Sequence, residues 1–237
     1  MLALTWNLFH GRSVPPAGHE LIERFAASIA SWKWDVALLQ EVPPWWAQPL
    51  ADAAGAEQGC ALTSRNSLLA LRRVVARRRP DLIKSNGGGS NVILARSAIA
   101  EHRSLRLRVH PERRVAQLVR LAGGTCVANF HGSTRVALAE EELARLCAQA
   151  LAFAGSSPLI LGGDLNLRRP AARDPQLVLL GSRDVDHLFA RGMERVGEPA
   201  LLDRDVALAC GAVELSDHPP LRIELRARES GVPRGGS

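Results

Sequence analysis

Two hydrophobic periods alternate along this chain, and each change of period marks an element. Residues 2–8 are apolar and β-compatible and run into Asn-Leu-Phe-His-Gly, which predicts a strand entering a loop. Residues 20–32 place Leu21, Ile22, Phe25, Ile29 and Trp32 close to helical spacing, so a helix follows. Residues 35–40 (DVALLQ) read as a buried strand stopped by Pro43-Pro44, and residues 45–54 as a short helix. The opening is therefore β-α-β-α. From residue 60 to 121 the pattern changes to short strand-like pieces at 67–76, 91–95, 105–109 and 115–121, which predicts an antiparallel meander. Between them lie a basic turn, Arg77-Arg78-Arg79-Pro80, and a flexible loop, Asn86-Gly87-Gly88-Gly89. A strand at 125–130, a helix at 136–153 and a strand at 158–161 ending at Gly162-Gly163 repeat the opening order in part. Further strands are expected at 185–190, 206–210 and 221–225.

This order predicts an α/β fold in which two mixed sheets pack face to face with helices outside, and in which functional groups collect on the loops of one rim. At about 150 residues per domain, 237 residues fit one large domain or two small ones. No boundary and no internal repeat is visible, so the reading is a single domain over residues 1–228 with a disordered tail at 229–237.

Composition narrows the classes. Hydrophobic residues at 46% and charged residues at 23% exclude disorder and fibrous repeats. No apolar run approaches the roughly 18 residues needed to span a bilayer, and the first twelve residues lack a basic region followed by an apolar stretch, so neither membrane insertion nor export is expected. Cys60, Cys126, Cys147 and Cys210 fit neither a metal knuckle nor a compact disulfide framework. Reduced thiols in a cytoplasmic protein are the expectation. Net charge is +6, and 28 of the 30 basic residues are Arg, with Lys33 and Lys84 the other two. Arg suits bidentate phosphate contact, but the same bias follows from a GC-rich genome, so charge alone does not select nucleic acid as partner.

Candidate chemistry sits directly after apolar strands. Asn7 follows LALTW, Glu41 follows DVALLQ, His131 follows CVANF, and Asp164 and Asn166 follow LILGG. Asp186 and His187 open VDHLF, and Asp217-His218 precede PPLRIEL. Each has a plain structural alternative. Glu41 reads equally as a solvated strand end, Asp164-Leu165-Asn166 as a turn, His131 as a half-buried histidine, and Asp217-His218-Pro219 as a cap. The same residue types at six strand edges favour a shared site. Asp164 and Asn166, two positions apart, would project to one side of an extended segment. His187 reads as structural, and His10, His19, His102 and His110 receive no role. All five Trp lie in the first 46 residues. Trp45 and Trp46 fit core packing better than stacking at a cleft. Arg72-Arg73 and Arg77-Arg78-Arg79 suit a nucleic-acid backbone or a solvated basic face.

Taken in order, TWNLFHG at Thr5, LLQEV at Leu38, SNVILAR at Ser90, RRVAQLVRL at Arg113, VANFHGS at Val127, LILGGDLNLR at Leu159, VDHLF at Val185 and LSDHPPL at Leu215 resemble the endonuclease/exonuclease/phosphatase superfamily. Its members are metal-dependent phosphoesterases, among them deoxyribonucleases, abasic-site endonucleases, sphingomyelinases and inositol-polyphosphate phosphatases. The likeness covers about residues 2–226. It implies a four-layer, deoxyribonuclease-like α/β sandwich of two packed mixed β-sheets flanked by helices.

The resemblance implies Mg²⁺, with Mn²⁺ an alternative, held by Glu41 with Asn7 as neutral ligand or ligand positioner and Asp217 as a further ligand or second carboxylate. It makes Asp164 the group that orients or deprotonates water, Asn166 a donor to a phosphate oxygen, and His218 an acid or base oriented by Asp186. His131 would face the scissile phosphate and Arg114 would bind it, the plain alternative for Arg114 being an exposed strand residue. In deoxyribonuclease-type members a carboxylate supports the second histidine, and residues 64–76 contain no Asp or Glu that matches it. The function implied is a Mg-dependent phosphodiester hydrolase acting as a nuclease on DNA or RNA. The alternatives are a phosphatase or phosphodiesterase for a small or lipid-derived phosphate ester, and a catalytically dead phosphate-binding module. The expected partner is nucleic acid as substrate, with no obligate protein partner and a monomeric state.

Overall fold

The computed structural model describes residues 1–63, 66–82, 89–209 and 211–228. The first three residues of the expected Asn86–Gly89 loop, Cys210 and the 229–237 tail lie outside the described residues. The expected opening forms as β1 (Leu2–Asn7), α1 (Ile22–Ser31), β3 (Val36–Val42) and α2 (Ala47–Ala54), with an unexpected two-residue β2 (Ser13–Val14) between β1 and α1. β4 (Glu57–Leu62), α3 (Leu69–Arg78), β5 (Ser90–Ala95), β6 (Ile99–Arg108), β7 (Arg114–Leu121) and β8 (Cys126–Asn129) come next. The second half contains α4 (Val136–Ala154), β9 (Leu159–Asp164), β10 (Val178–Arg183), β11 (Asp186–Arg191), β12 (Met193–Leu201), β13 (Asp205–Leu208), β14 (Gly211–Leu215) and β15 (Leu221–Ala227).

One expectation is overturned outright. The strand read at residues 67–76 is helix α3, whose last turn also takes in Arg77 and Arg78 of the expected basic turn. Leu, Ala and Arg dominate LALRRVVARR and are strong helix formers. The Val74-Val75 pair suggested a strand, but no neighbouring strand supplies a ladder for it.

Two six-stranded sheets result, ordered β12-β15-β1-β3-β5-β4 and β10-β11-β9-β8-β7-β6, with a small sheet β13-β14-β2 at one end. β1 and β3 are parallel, as are β8 and β9. Such pairs need long crossovers, and α1 and α4 lie in them. Burial falls into three layers. Leu4, Trp6, Ala37 and Leu39 face α1 and α2, with Phe25, Ile29, Trp46 and Leu50 opposite. Cys126, Ala128, Leu159 and Leu161 face α4 residues such as Leu143 and Leu146. Ala3, Val36, Leu38, Ile93, Val127, Ile160 and Leu188 meet between the sheets. This is the four-layer α/β sandwich.

The inter-sheet layer changes character along its length. Side chains alternate faces along a strand, so the inner rows continue from Ala3 to Thr5 and Asn7, from Leu38 to Gln40, and from Ile93 back to Asn91. They also run from Val127 to Asn129, from Ile160 to Asp164, and from Leu188 back to Asp186. All these polar residues are buried. Behind the rim they bind one another: Gln40 Nε2 donates to Asn129 Oδ1 (2.8 Å) and Thr5 Oγ1 (3.2 Å), and Asn129 Nδ2 donates to the carbonyls of Leu39 (2.9 Å) and Val92 (3.0 Å). The sheets are thus glued by hydrocarbon at one end and by amide hydrogen bonds at the other, which leads into the site.

Gly163 sets how closely β9 approaches the β8 end. Its φ is +133°, and a Cβ there would lie 2.0 Å from the Phe130 carbonyl oxygen. Backbone strain and overpacking each cost about 1–3 kcal/mol. Gly163→Ala is expected to destabilise the protein by about 3 kcal/mol, read as a lower guanidinium midpoint; an unchanged midpoint would show that this approach is not tight.

Candidate active site

Asp164 ends β9 at the polar rim, with Asp186 directly opposite it on β11. Its Oδ2 accepts a hydrogen bond from Asn7 Nδ2 (2.8 Å) and its Oδ1 from the Asn166 backbone N–H (3.0 Å). Two imidazoles reach the same carboxylate, His131 Nε2 at 3.5 Å and His218 Nε2 at 3.9 Å from Oδ2. Asn7 is held in turn, because its Oδ1 accepts from the Phe9 N–H (2.9 Å). In this structure Asn7 therefore positions Asp164.

His218 is anchored from three directions. Its Nδ1 lies 2.7 Å from Asp186 Oδ2, its backbone N–H donates to Ser216 Oγ (3.1 Å), and its carbonyl accepts from Trp6 Nε1 (2.8 Å). Ser216, fully buried with φ +68°, donates its hydroxyl to the Asn7 carbonyl (2.6 Å) and so ties this loop to the end of β1. Burial alone would lower the His218 pKa, but the Asp186 hydrogen bond and charge, with Asp164 and Asp217 nearby, raise it to about 9. The pair is therefore an imidazolium beside a carboxylate at neutral pH. Asp217 is about half exposed, with Oδ1 3.9 Å from His218 Nε2.

Glu41 approaches from β3, where a bulge between Leu39 and Val42 interrupts the pairing with β5 and Glu41 takes φ +51°. Its Oε1 is 3.8 Å from His131 Nδ1 and its Oε2 is 3.0 Å from His10 Nε2. Burial raises the Glu41 pKa, and Asp164 and Asp217 add to the rise. Burial also lowers His131, against the pull of Asp164 and Glu41, so this ring tends toward neutrality while His218 tends toward charge. The His131 loop is fixed from below: Glu142 on α4, fully buried, accepts from Ser133 N–H (2.9 Å), Ser133 Oγ (2.8 Å) and Arg108 Nε (2.5 Å). Arg114 is buried, not an exposed strand residue. It pairs with Glu112 (2.6 Å) and reaches the His131 carbonyl (3.5 Å). Arg114, Glu112, Thr63, Gly89 and Thr134 border the cleft of about 130 Å³ between His10, Glu41 and His131.

Several expectations change in detail. Asn166 has φ +52°, so the Asp164–Asn166 segment is not extended, and the Asn166 amide donates to the Gly132 carbonyl (3.0 Å) instead of standing beside Asp164. The carboxylates near His131 are Glu41 and Asp164. His10, left without a role, borders the cleft, and so the loop after β1 carries a functional candidate that a lone histidine in a Gly-containing loop did not signal. Ser216 and Trp6 were missed as supports. His187 is structural, with Nδ1 on Ser182 Oγ (2.9 Å) and Nε2 on the Leu167 carbonyl (2.6 Å). Trp46 is core, and Trp45 is half-buried beside Glu20.

The donor set suits a divalent cation. Asp164, Asp186 and His218 bring one polar atom each within 4.8 Å of one another. His218 as an imidazolium has no lone pair to give, so the oxygens on offer there are those of Asp164 and Asp186, whose Oδ1 is buried with no hydrogen-bond partner. Glu41 adds a hard oxygen across the cleft, while the sequence-expected Asp217 lies outside that trio. Among the described residues no helix is long and apolar enough to cross a membrane, and Cys60, Cys126 and Cys147 are free thiols.

Residues 4–218 match the family described as Endonuclease/Exonuclease/phosphatase. No curated protein matches the sequence. Among solved structures, an endonuclease/exonuclease/phosphatase protein of Beutenbergia cavernae is 19% identical, with a TM-score of 0.68 over 96% of this chain and 71% of its own. The mannosyl-6-phosphatase Bt3783 of Bacteroides thetaiotaomicron is 14% identical, with a TM-score of 0.70 over 95% of this chain and 99% of its own. The D. rerio TDP2 complexed with single strand DNA product is 15% identical, with a TM-score of 0.67 over 96% of this chain and 99% of its own. These likenesses share the fold, and the sequence match places the chain more narrowly: it belongs to the endonuclease/exonuclease/phosphatase family, whose members are metal-dependent phosphoesterases.

Proposed function

We propose that this chain, as a single domain over residues 1–228, is a Mg²⁺- or Mn²⁺-dependent phosphodiester hydrolase that cleaves nucleic acid by attack of water on phosphorus. The observation that carries this reading is the convergence on Asp164 of Asn7, Asn166, His131 and His218, with Glu41 across the cleft. A bound divalent cation supplies Lewis-acid stabilisation of the charge that develops on the phosphoryl oxygens. Glu41 holds it, with Asn7 and Asp217 in support. Asp164, acceptor-only when ionised and fixed by two donors, orients the attacking water and takes its proton. His218, charged and held by Asp186, protonates the leaving oxygen, and His131, a neutral ring, donates an N–H hydrogen bond to a phosphoryl oxygen. Arg114 and Asn166 hold the non-reacting oxygens.

Nucleic acid is the favoured substrate because the segment beyond the cleft residue Thr63 carries exposed Arg73, Arg77 and Arg78 on α3, a cationic surface suited to a phosphate backbone. The test is to incubate the protein with plasmid, single-stranded DNA, RNA, an aryl phosphodiester and a hexose monophosphate, with Mg²⁺ or EDTA. Nucleic-acid cleavage that EDTA stops, with affinity that falls steeply with salt, is expected. Turnover of the monophosphate without any nucleic-acid cleavage would replace this reading with a small-ester phosphatase.

A further inference from the structure

The loop that follows β1 is built around one imidazole. Phe9 and His10 have φ +49° and +55°, and Gly11 has φ +79°. Two consecutive non-glycine residues in the left-handed region are uncommon and persist only where their surroundings fix them. Those surroundings are present. The Leu8 N–H donates to the Gln40 carbonyl (2.9 Å), the Arg12 guanidinium sits 3.8 Å over the Phe9 ring, and a Cβ on Gly11 would strike Trp46 at 2.3 Å. The carboxylate facing this loop is also on a left-handed backbone, that of Glu41. Both backbones depart from ordinary geometry, and the result is His10 Nε2 at 3.0 Å from Glu41 Oε2, with both side chains largely buried at the cleft.

That separation has a chemical meaning. Two ligand atoms about 2.1 Å from one ion and at right angles to each other lie about 3.0 Å apart. Resting on the metal-dependent reading above, we propose that His10 Nε2 is a nitrogen ligand to the cation that Glu41 holds, which biases this site toward a first-row transition-metal dication such as Mn²⁺ over Mg²⁺. Mg²⁺ takes oxygen ligands almost exclusively, whereas imidazole favours transition metals. A His–Glu hydrogen bond that merely aims the carboxylate would support both ions alike, so the metal preference separates ligand from positioner.

The experiment measures metal binding directly, without turnover. Mn²⁺ and Mg²⁺ affinities are determined by calorimetry on the metal-stripped full chain, and nitrogen coupling to bound Mn²⁺ by pulsed electron paramagnetic resonance. His10→Asn is the variant of choice, since Asn tolerates left-handed backbone. Wild type should bind Mn²⁺ at least about tenfold more tightly than Mg²⁺. His10→Asn should weaken Mn²⁺ by about tenfold or more, leave Mg²⁺ within about threefold, and remove a nitrogen coupling. Equal loss for both ions, or a coupling unchanged in the variant, overturns the proposal. If the variant unfolds, absence of any nitrogen coupling in wild type overturns it as well. Glu41→Gln tells the two readings apart: it should weaken both ions, and if it weakens neither, the cation site itself is wrong.

Discussion

Asp164→Asn is expected to lower the single-turnover rate by about 10³-fold, within the range of about 10²–10⁴ that a positioned acid or base contributes, with the fold intact. The substitution keeps the shape but offers one oxygen where Asp164 uses two, so either the Asn166 N–H or the Asn7 amide loses its acceptor, and a stability loss of about 1–3 kcal/mol is expected without loss of the fold. What it removes is the negative charge and the proton-accepting oxygen at the point where Asn7, His131 and His218 meet. Single-turnover cleavage at saturating metal, with circular dichroism as the folding control, measures this. Retention of more than about a tenth of the wild-type rate would remove Asp164 from the chemical step.

Asp186→Asn should produce the second-largest effect, about 10²-fold on turnover, with a characteristic change in pH dependence. The His218 proton is held up to about pH 9, against burial, chiefly by the Asp186 hydrogen bond and charge. Without that charge the ring titrates lower, and the activity limb that requires imidazolium moves to lower pH. The sign of the stability effect follows. A raised folded-state pKa means that the native protein binds this proton more tightly than the unfolded chain. The stabilisation is therefore complete below about pH 6.5 and lost as pH rises through about 9. Metal-free wild type should lose thermal stability across that window, and Asp186→Asn should lose less. Histidine ring signals followed by NMR report the same shift directly, and a His218 titration unmoved by the substitution would sink the assignment.

The parts of this molecule that could be read from sequence are those where local pattern and burial agree. β1, β3, β8 and β9 are short apolar runs that end in polar residues, and the ends of those runs carry Asn7, Asp164 and the loop of His131. Helices α1 and α4 show clear periodicity. The misreadings have physical causes. α3 buries none of its side chains, so no core face imposed a period on its sequence. β10 and β12 are edge strands with mixed exposure, visible only through their partners β11 and β15. Glu41 and Asn166 occupy left-handed backbone that only the completed sheets enforce. The His10–Glu41 pair joins residues 31 positions apart through two loop conformations that no spacing rule encodes.

Helix α3 also bears on how this protein can change. Leu68, Leu71 and Val74 are 73%, 59% and 50% exposed, and no residue of the helix reaches the core. Replacing its exposed residues, such as Leu71 and Val74, forfeits little burial energy, whereas Leu69, Val75 and Ala76 are half-buried. Those exposed positions can be rewritten under selection for whatever they touch at little cost to the sandwich, so altered specificity there comes with almost no folding penalty.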